Sequence, residues 1–198
     1  MRIIAGQYRG RRIRAPAGLS TRPMLDRVRE AMFSTLAPWI DGASVLDLFA
    51  GSGSLALEAL SRGARAARLV EQHPATLKVL RENVTTLELD ARVEVVRGDA
   101  LAPASWRGGA LFEHQPRYDL IYLDPPYAMV AKDGSKGQVF EALTTLVHAH
   151  LNAPGYLVLH VPRRLLDKQD FPSDTTAALR EYGSTALWYV SRTTNDDA

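Results

Sequence analysis

The chain contains no cysteine among its 198 residues. This absence excludes disulfide bonds, thiolate metal ligands and any mechanism that depends on a cysteine nucleophile. No apolar stretch approaches the length of a membrane span, and the N-terminus lacks the apolar core of a signal peptide. We therefore expect a cytoplasmic protein without membrane contact. The five histidines include no pair at metal-ligand spacing on a helix, so we also expect no metal site.

Positive charge is concentrated near the N-terminus, although the whole chain carries a net charge of only +2. Residues 1–30 contain eight arginines against two acids, whereas the remaining residues contain more acids than bases. The arginines are Arg2, Arg9, Arg11, Arg12, Arg14, Arg22, Arg27 and Arg29. A basic segment on a mildly acidic body indicates contact with a polyanion. A solvated basic tail is the alternative.

The hydrophobic pattern predicts strands that alternate with helices in a single globular domain. A basic β-arm over 2–16 and a helix over 26–36 are predicted first. The predicted strands after them are 44–49, 67–71, 93–97, 118–123 and 156–161, the predicted helices are 54–62, 74–87 and 138–150, and a closing antiparallel hairpin flanks 183–185. Such alternation predicts an α/β fold, with a mostly parallel sheet and helices on both faces.

A glycine turn, Gly51-Ser52-Gly53, follows the first apolar strand. Glycine lets the backbone approach a ligand closely, and the N-terminus of the helix that follows favours a negative group. Twenty residues after Gly51, Glu71 ends the next strand, where an acid binds ribose hydroxyls in doubly wound nucleotide folds. The turn also fits the relaxed dinucleotide motif, so a nicotinamide- or flavin-dependent enzyme is an alternative.

Acidic side chains stand at the ends of four predicted strands: Asp47, Glu71, Asp99 and Asp124. Ligands of open α/β sheets bind outside the carboxyl ends of the strands. The four acids therefore converge on one crevice if the strands are neighbours. Each acid alone could instead cap the helix that follows it.

The segment Asp124-Pro125-Pro126-Tyr127 directly follows an apolar strand and predicts a rigid shelf. The prolines fix φ and lack backbone donors, so we expect both proline carbonyls to point outward as acceptors. These carbonyls and Asp124 could accept hydrogen bonds from an exocyclic amine, while Tyr127 offers a flat face for a base. Acceptors on the amine would turn its lone pair toward an electrophile, and positioning would supply much of the rate. A simple proline turn is the alternative.

Together these motifs resemble the class I S-adenosylmethionine-dependent methyltransferases that modify amines. The N-terminal residues 1–14, Thr21-Arg22-Pro23 and 26–30 resemble the bacterial RsmD family, which methylates guanine N2 in small-subunit ribosomal RNA. With 47–53, 57–63 and 124–127, the resemblance covers nearly the whole chain. Met24 departs from it where the family usually has threonine, and His160 departs where an acid is common. We assign His160 no role.

The resemblance implies a Rossmann-like class I methyltransferase domain over 25–198, preceded by a basic arm over 1–24. It implies S-adenosylmethionine as cofactor, with Glu71 on its ribose, Asp99 and the Ala100 backbone on its adenine, and Asp47 with the glycine turn at its amino-acid end. The implied cofactor-binding set is Asp47, Phe49, Gly51, Gly53, Glu71, Asp99 and Ala100. Without cysteine, methyl transfer would be direct, to a nitrogen or an oxygen.

The resemblance further implies that the shelf is catalytic and that the target is a guanine N2 amine. Asp124, Pro125, Pro126 and Tyr127 are its catalytic residues, and we expect Arg2, Arg9, Arg11, Arg12 and Arg14 to bind RNA. The expected partner is ribosomal RNA, free or in a partly assembled small subunit, and a monomer is favoured. Two alternatives stay open: an N-methyltransferase of DNA adenine N6 or a protein amide, and a non-catalytic RNA-binding module on the same fold.

Overall fold

A computed structural model describes residues 1–16, 24–107, 109–112, 117–131 and 133–193. The motif Thr21-Arg22-Pro23 lies outside these described residues. The described ranges contain seven strands and six α-helices. The strands are β1 (Ser44–Leu48), β2 (Ala66–Glu71), β3 (Val93–Arg97), β4 (Tyr118–Leu123), β5 (Leu151–Pro162), β6 (Thr175–Tyr182) and β7 (Thr185–Arg192). The helices are α1 (Asp26–Leu36), α2 (Ser54–Ser61), α3 (Pro74–Thr86), α4 (Pro103–Trp106), α5 (Tyr127–Ala131) and α6 (Asp133–Thr145).

The strands form one mixed sheet in the order β3-β2-β1-β4-β5-β7-β6. The first five strands pair in parallel, and β7 runs antiparallel between β5 and β6. Leu48, at the end of β1, pairs with Val70 of β2 and Leu123 of β4, so three strands end at one level. This confirms the predicted α/β fold with a parallel sheet and an antiparallel closing hairpin.

Two segments begin earlier than the sequence pattern predicts. Helix α6 starts at Asp133 rather than at 138. The sequence pattern misses its first turns because Gly134 and Gly137 lower their helix propensity. Strand β5 starts at Leu151 rather than at 156. The sequence pattern misses its first half because Pro154 and Gly155 give that half the composition of a turn. Neither difference moves the carboxyl end of β4 or β5, where the candidate site lies.

The sheet is covered by hydrophobic side chains on both faces, as a central parallel sheet requires. One cluster holds residues of α1, α2 and α3, and includes Ile3 and Ile13 of the N-terminal segment. The other cluster holds α6 together with Trp106, Phe171 and Trp188. Val45 of β1 belongs to the first cluster and its neighbour Leu46 to the second. Within the described ranges, no helix is both long enough and apolar enough to cross a membrane.

The N-terminal arm, residues 1–16, is docked on α2 rather than extended into solvent. The carboxylate of the fully buried Glu58 accepts hydrogen bonds from the backbone N–H groups of Ile4, at 2.7 Å, and Ala5, at 3.0 Å. The Ser61 hydroxyl accepts from the Tyr8 N–H at 2.9 Å and donates to the Ala5 carbonyl at 2.6 Å. The solvated-tail alternative is therefore wrong for these residues.

Regular β-strands are absent from the described part of the arm, which corrects the predicted β-arm. Arg2 and Arg12 form one isolated antiparallel bridge. Ile3 donates to the Arg11 carbonyl at 3.0 Å, and Gly10 donates to the Ile3 carbonyl at 2.9 Å. The arm is a hairpin-like loop because its contacts with α2 take backbone groups that a longer ladder would need.

Candidate active site

Backbone hydrogen bonds continue past the strand ends and bring the loops of the site together. The Ala50 N–H donates to the Val70 carbonyl at 3.0 Å, and the Asp124 N–H donates to the Leu48 carbonyl at 3.4 Å. The loops after β1, β2 and β4 therefore leave the sheet side by side. The predicted convergence of acids at this edge is found for the ends of these three strands, at Asp47, Glu71 and Asp124.

Asp47 is the most deeply buried of these acids, with 1% of its surface exposed. One carboxylate oxygen accepts the Ala56 N–H of α2 at 3.1 Å. Burial raises the pKa of the Asp47 carboxyl to about 8; the Ala56 hydrogen bond opposes this rise, and the charges of Asp124 and Glu71 add to it. A buried acid whose negative charge is disfavoured by two neighbouring acids makes a region suited to a positively charged ligand.

The glycine turn is fixed from the side by Glu71. Its carboxylate accepts the Gly51 N–H at 3.0 Å with one oxygen and the His73 N–H at 2.8 Å with the other. Gly53 has a φ of +82°, and a Cβ there would lie 2.6 Å from the Leu80 side chain. Phe49 holds a φ of +61°, a left-handed conformation that is strained for a residue with a side chain and is typical of functional turns.

Asp99 and Ala100 follow β3, next to Glu71. The Gly98 N–H donates to the Glu71 carbonyl at 3.3 Å, which places this turn beside the end of β2. The exposed Asp99 carboxylate accepts the Leu101 N–H at 2.9 Å, and the buried Ala100 gives its carbonyl to the Trp106 indole N–H at 2.8 Å. The Ala100 carbonyl is therefore already paired within the protein.

The shelf after β4 is rigid and partly open. Pro125 is buried, and Tyr127 begins α5 with 43% of its surface exposed. The Pro126 carbonyl accepts the Met129 N–H at 2.8 Å, which corrects the expectation that both proline carbonyls are free. This bond forms because the shelf runs directly into a helix, whose first N–H groups need acceptors. No donor among the described residues contacts the Pro125 carbonyl.

His160 is a site residue that the sequence interpretation missed. It lies buried on β5, and its Nδ1 atom is 2.7 Å from one carboxylate oxygen of Asp124. Its Nε2 atom contacts the Thr185 hydroxyl of β7, which is 2.9 Å from the Tyr127 hydroxyl. Pairing of β5 with β4 on one side and β7 on the other creates this arrangement, and no local motif signals it.

The five predicted RNA-binding arginines are all exposed, but they differ in their partners. Arg11 donates to the Thr86 carbonyl at 2.6 Å, and Arg14 pairs with Glu82 at 2.9 Å. Arg2 lies 3.9 Å from Asp26, and an open groove of about 610 Å³ is lined by Met1, Arg2, Gly10, Arg12 and Asp26. The side chains of Arg9 and Arg12 have no hydrogen-bond or ion-pair partner within the described ranges.

The chain is similar to known proteins over most of its length. A family model described as conserved hypothetical protein 95 matches residues 1–191. A Bacillus subtilis (strain 168) protein named as a candidate rRNA methyltransferase, YlbH, is 37% identical over 167 residues, 83% of this chain and 84% of its own length. The ribosomal RNA small subunit methyltransferase D of Escherichia coli (strain K12) is 41% identical over 64% of this chain. That match spans 60% of the length of the E. coli enzyme.

Solved structures share the complete fold. An Escherichia coli protein described as a candidate methyltransferase, yhhF, superimposes with a TM-score of 0.77 at 31% identity, over 97% of each chain. A Thermus thermophilus protein, TTHA0928, gives a TM-score of 0.75 at 30% identity, over 96% of this chain and 99% of its own. The N-terminal arm lies within the region matched by the family model, so it belongs to the shared architecture.

Proposed function

This chain belongs to the RsmD family of methyltransferases, and from that premise we propose that it methylates small-subunit ribosomal RNA. We propose that the methyl donor is S-adenosylmethionine and the acceptor is the exocyclic N2 amine of a guanine. The observation that carries this proposal is the shelf Asp124–Tyr127, which lies beside a buried acidic crevice at the same edge of the sheet.

The residues around the glycine turn fit the proposed cofactor. Glu71 would hold the ribose hydroxyls, Asp99 with the Ala100 N–H the adenine, and Asp47 with Phe49 and the Gly51–Gly53 turn the amino-acid end. The raised pKa of Asp47 supports a cationic ligand, because a positive charge nearby would stabilise the ionised carboxylate. When bound, S-adenosylmethionine supplies an electrophilic methyl group on a positively charged sulfur.

The shelf would hold and orient the target amine. The second oxygen of Asp124 and the Pro125 carbonyl would accept hydrogen bonds from its two N–H groups. The Pro126 carbonyl bonds the first turn of α5 and so would fix the position of the shelf relative to that helix. The half-exposed ring of Tyr127 would stack on the base, which must leave its helical stack to enter the site. Positioning and desolvation, rather than a covalent intermediate, would supply the rate.

We propose that residues 1–24, which include the arm, form an RNA-binding extension on a methyltransferase domain over 25–198. The arm itself would hold the RNA. The exposed guanidinium groups of Arg2, Arg9 and Arg12 support this assignment, because arginine pairs with phosphate through a planar fork of donors. Arg11 and Arg14 would join the contact after leaving Thr86 and Glu82. Phosphate contacts of this kind position a nucleic acid without reading its sequence.

The test is transfer of labelled methyl groups from S-adenosylmethionine to ribosomal RNA, both free and in partly assembled small subunits. We expect label in RNA, and nuclease digestion with mass spectrometry should place it on guanine N2. Label in DNA adenine or in a protein amide would show that the protein methylates a nitrogen other than guanine N2. Cofactor binding without transfer to any substrate would indicate a binding module.

A further inference from the structure

We propose that His160 is a positioning residue that fixes both the amine acceptor and the base-stacking ring of the active site. It would hold Asp124 directly and Tyr127 through the Thr185 hydroxyl. This inference rests on the proposed function, because it assigns Asp124 to the amine and Tyr127 to the base. It adds residues of two further strands, β5 and β7, to a site otherwise built at the ends of β1–β4.

The contacts form a continuous chain across the floor of the site. The Tyr127 hydroxyl lies 2.9 Å from the Thr185 hydroxyl, which contacts His160 Nε2, and His160 Nδ1 lies 2.7 Å from Asp124. His160 and Thr185 are 5% and 8% exposed, so water does not compete strongly for these bonds. The Tyr127 and His160 rings also meet edge to face, with centroids 5.7 Å apart.

The direction of these bonds follows from the acceptor role of Asp124. For Asp124 to act as a carboxylate, Nδ1 of His160 must carry the proton of the 2.7 Å contact. In the neutral ring Nε2 is then an acceptor. The Thr185 hydroxyl would direct its single proton to Nε2 rather than to the Val161 carbonyl 3.1 Å away, and the Tyr127 hydroxyl would donate to Thr185. In this arrangement all donors of the chain would point toward Asp124.

This direction has two consequences for catalysis. The bond from His160 occupies one Asp124 oxygen and orients the carboxylate, which leaves the other oxygen for the amine. The bond to Thr185 fixes the tilt of the Tyr127 ring before a base arrives, while 43% of the surface of this residue stays exposed to solvent. A site whose acceptor and ring are fixed in advance in this way loses less entropy when the substrate is positioned.

Two amide substitutions separate the two bonds of His160. The amide nitrogen of asparagine reaches the place of Nδ1, so His160→Asn keeps the hydrogen bond to Asp124 and loses the hydrogen bond to Thr185. The longer glutamine reaches the place of Nε2, so His160→Gln keeps the hydrogen bond to Thr185 and loses the hydrogen bond to Asp124. His148→Gln is a matched control, because His148 also bonds an aspartate, Asp174 at 2.8 Å, but precedes the start of β5, whereas His160 lies near the other end of that strand.

The experiment measures kcat, KM for RNA and cofactor affinity for each variant. We expect His160→Gln to lower kcat by about tenfold to a hundredfold, as the loss of one charge-assisted hydrogen bond implies. We expect His160→Asn to retain most of kcat and to raise KM for RNA several-fold, and Thr185→Val to do the same. Cofactor affinity should stay within about twofold throughout, and His148→Gln should resemble wild type.

Other outcomes overturn the inference in distinguishable ways. Equal activity of all variants and wild type would show that His160 does not position the site. Equal losses in both amide variants, together with weaker cofactor binding and a lower melting temperature, would assign His160 a merely structural role. If wild type itself transferred no methyl group to RNA, the proposed function would fail first, whatever the variants did.

Discussion

The carboxylate of Glu71, at the end of β2, accepts a hydrogen bond of 3.0 Å from the backbone N–H of Gly51, in the turn after β1. One acidic side chain thus fixes the turn that borders the proposed cofactor site, and in the proposed function the same side chain would bind the ribose hydroxyls. Because this bond joins two strand ends, the shape of the cofactor crevice depends on Glu71 before any ligand is present.

Glu71→Ala should weaken S-adenosylmethionine binding by about 1.5–3 kcal/mol, roughly tenfold to a hundredfold, since it removes charge-assisted hydrogen bonds. Calorimetry measures the loss directly. Glu141→Ala, an exposed change on α6, is the matched control and should bind like wild type. Tight binding of NAD, or no binding of S-adenosylmethionine to wild type, would contradict the cofactor assignment.

The buried Asp47 should make the free energy of unfolding depend on pH. Its folded pKa, about 8, lies above the value of about 3.9 expected in the unfolded chain. The folded state then binds more protons between these values, so stability should fall as pH rises from 4 to 8, by up to about 1.4 kcal/mol per pH unit. Urea unfolding at several pH values should show this fall in wild type and a flatter profile in Asp47→Asn. Identical profiles would mean that Asp47 ionises normally.

The free arginines of the arm should carry the salt dependence of RNA binding. Each phosphate contact contributes roughly 0.7–0.9 to the slope of log affinity against log salt. Arg9→Ala with Arg12→Ala should therefore lower that slope by about 1.5 without changing the melting temperature. RNA titrations at several salt concentrations measure it, with cofactor affinity as the internal control. An unchanged slope in the folded double variant would place the phosphate contacts elsewhere.

Gly6 and Gly10 offer a matched pair for testing how the arm is anchored. Both have φ near +81°, but a Cβ at Gly6 would lie 1.8 Å from the Ser61 carbonyl oxygen, whereas a Cβ at Gly10 meets nothing within 4 Å. Gly10→Ala should cost about 1–2 kcal/mol of stability from the left-handed backbone alone. Gly6→Ala should cost more and should also weaken RNA binding, because the arm must move. Equal losses in thermal and chemical unfolding would show that this close contact does not anchor the arm.

The local sequence patterns identify most of the fold and part of the site. Asp47, Glu71 and Asp124 are predictable because each follows or ends an apolar strand, and strand ends of a parallel sheet meet at one edge. The Asp124–His160–Thr185 chain is not, because it depends on the registers of β5 with β4 and with β7, which pair residues 23 or more positions apart. The hydrogen bond of the Pro126 carbonyl is not predictable either, because the local sequence does not show that α5 begins directly after the two prolines.

The arm shows the same limit. Its arginines and glycines predict a basic β-arm, and the structure has a basic hairpin-like loop with one antiparallel bridge in place of regular strands. Arg11 and Arg14 have hydrogen-bond partners, whereas Arg9 and Arg12 have none within the described ranges. This difference could not be predicted, because it depends on where the end of α3 places Thr86 and Glu82. The buried Glu58 under the arm likewise gave no signal in the sequence, since an acid on a helix is usually exposed.

The most direct test of the account is single-turnover methyl transfer by wild type and Asp124→Ala, each saturated with labelled S-adenosylmethionine and small-subunit ribosomal RNA. We predict that wild type labels guanine N2 and that Asp124→Ala loses at least about a hundredfold in rate, while its cofactor affinity stays within a few fold, because Asp124 acts on the amine. Near-normal turnover by Asp124→Ala, or label on an atom other than an exocyclic amine, would contradict the account.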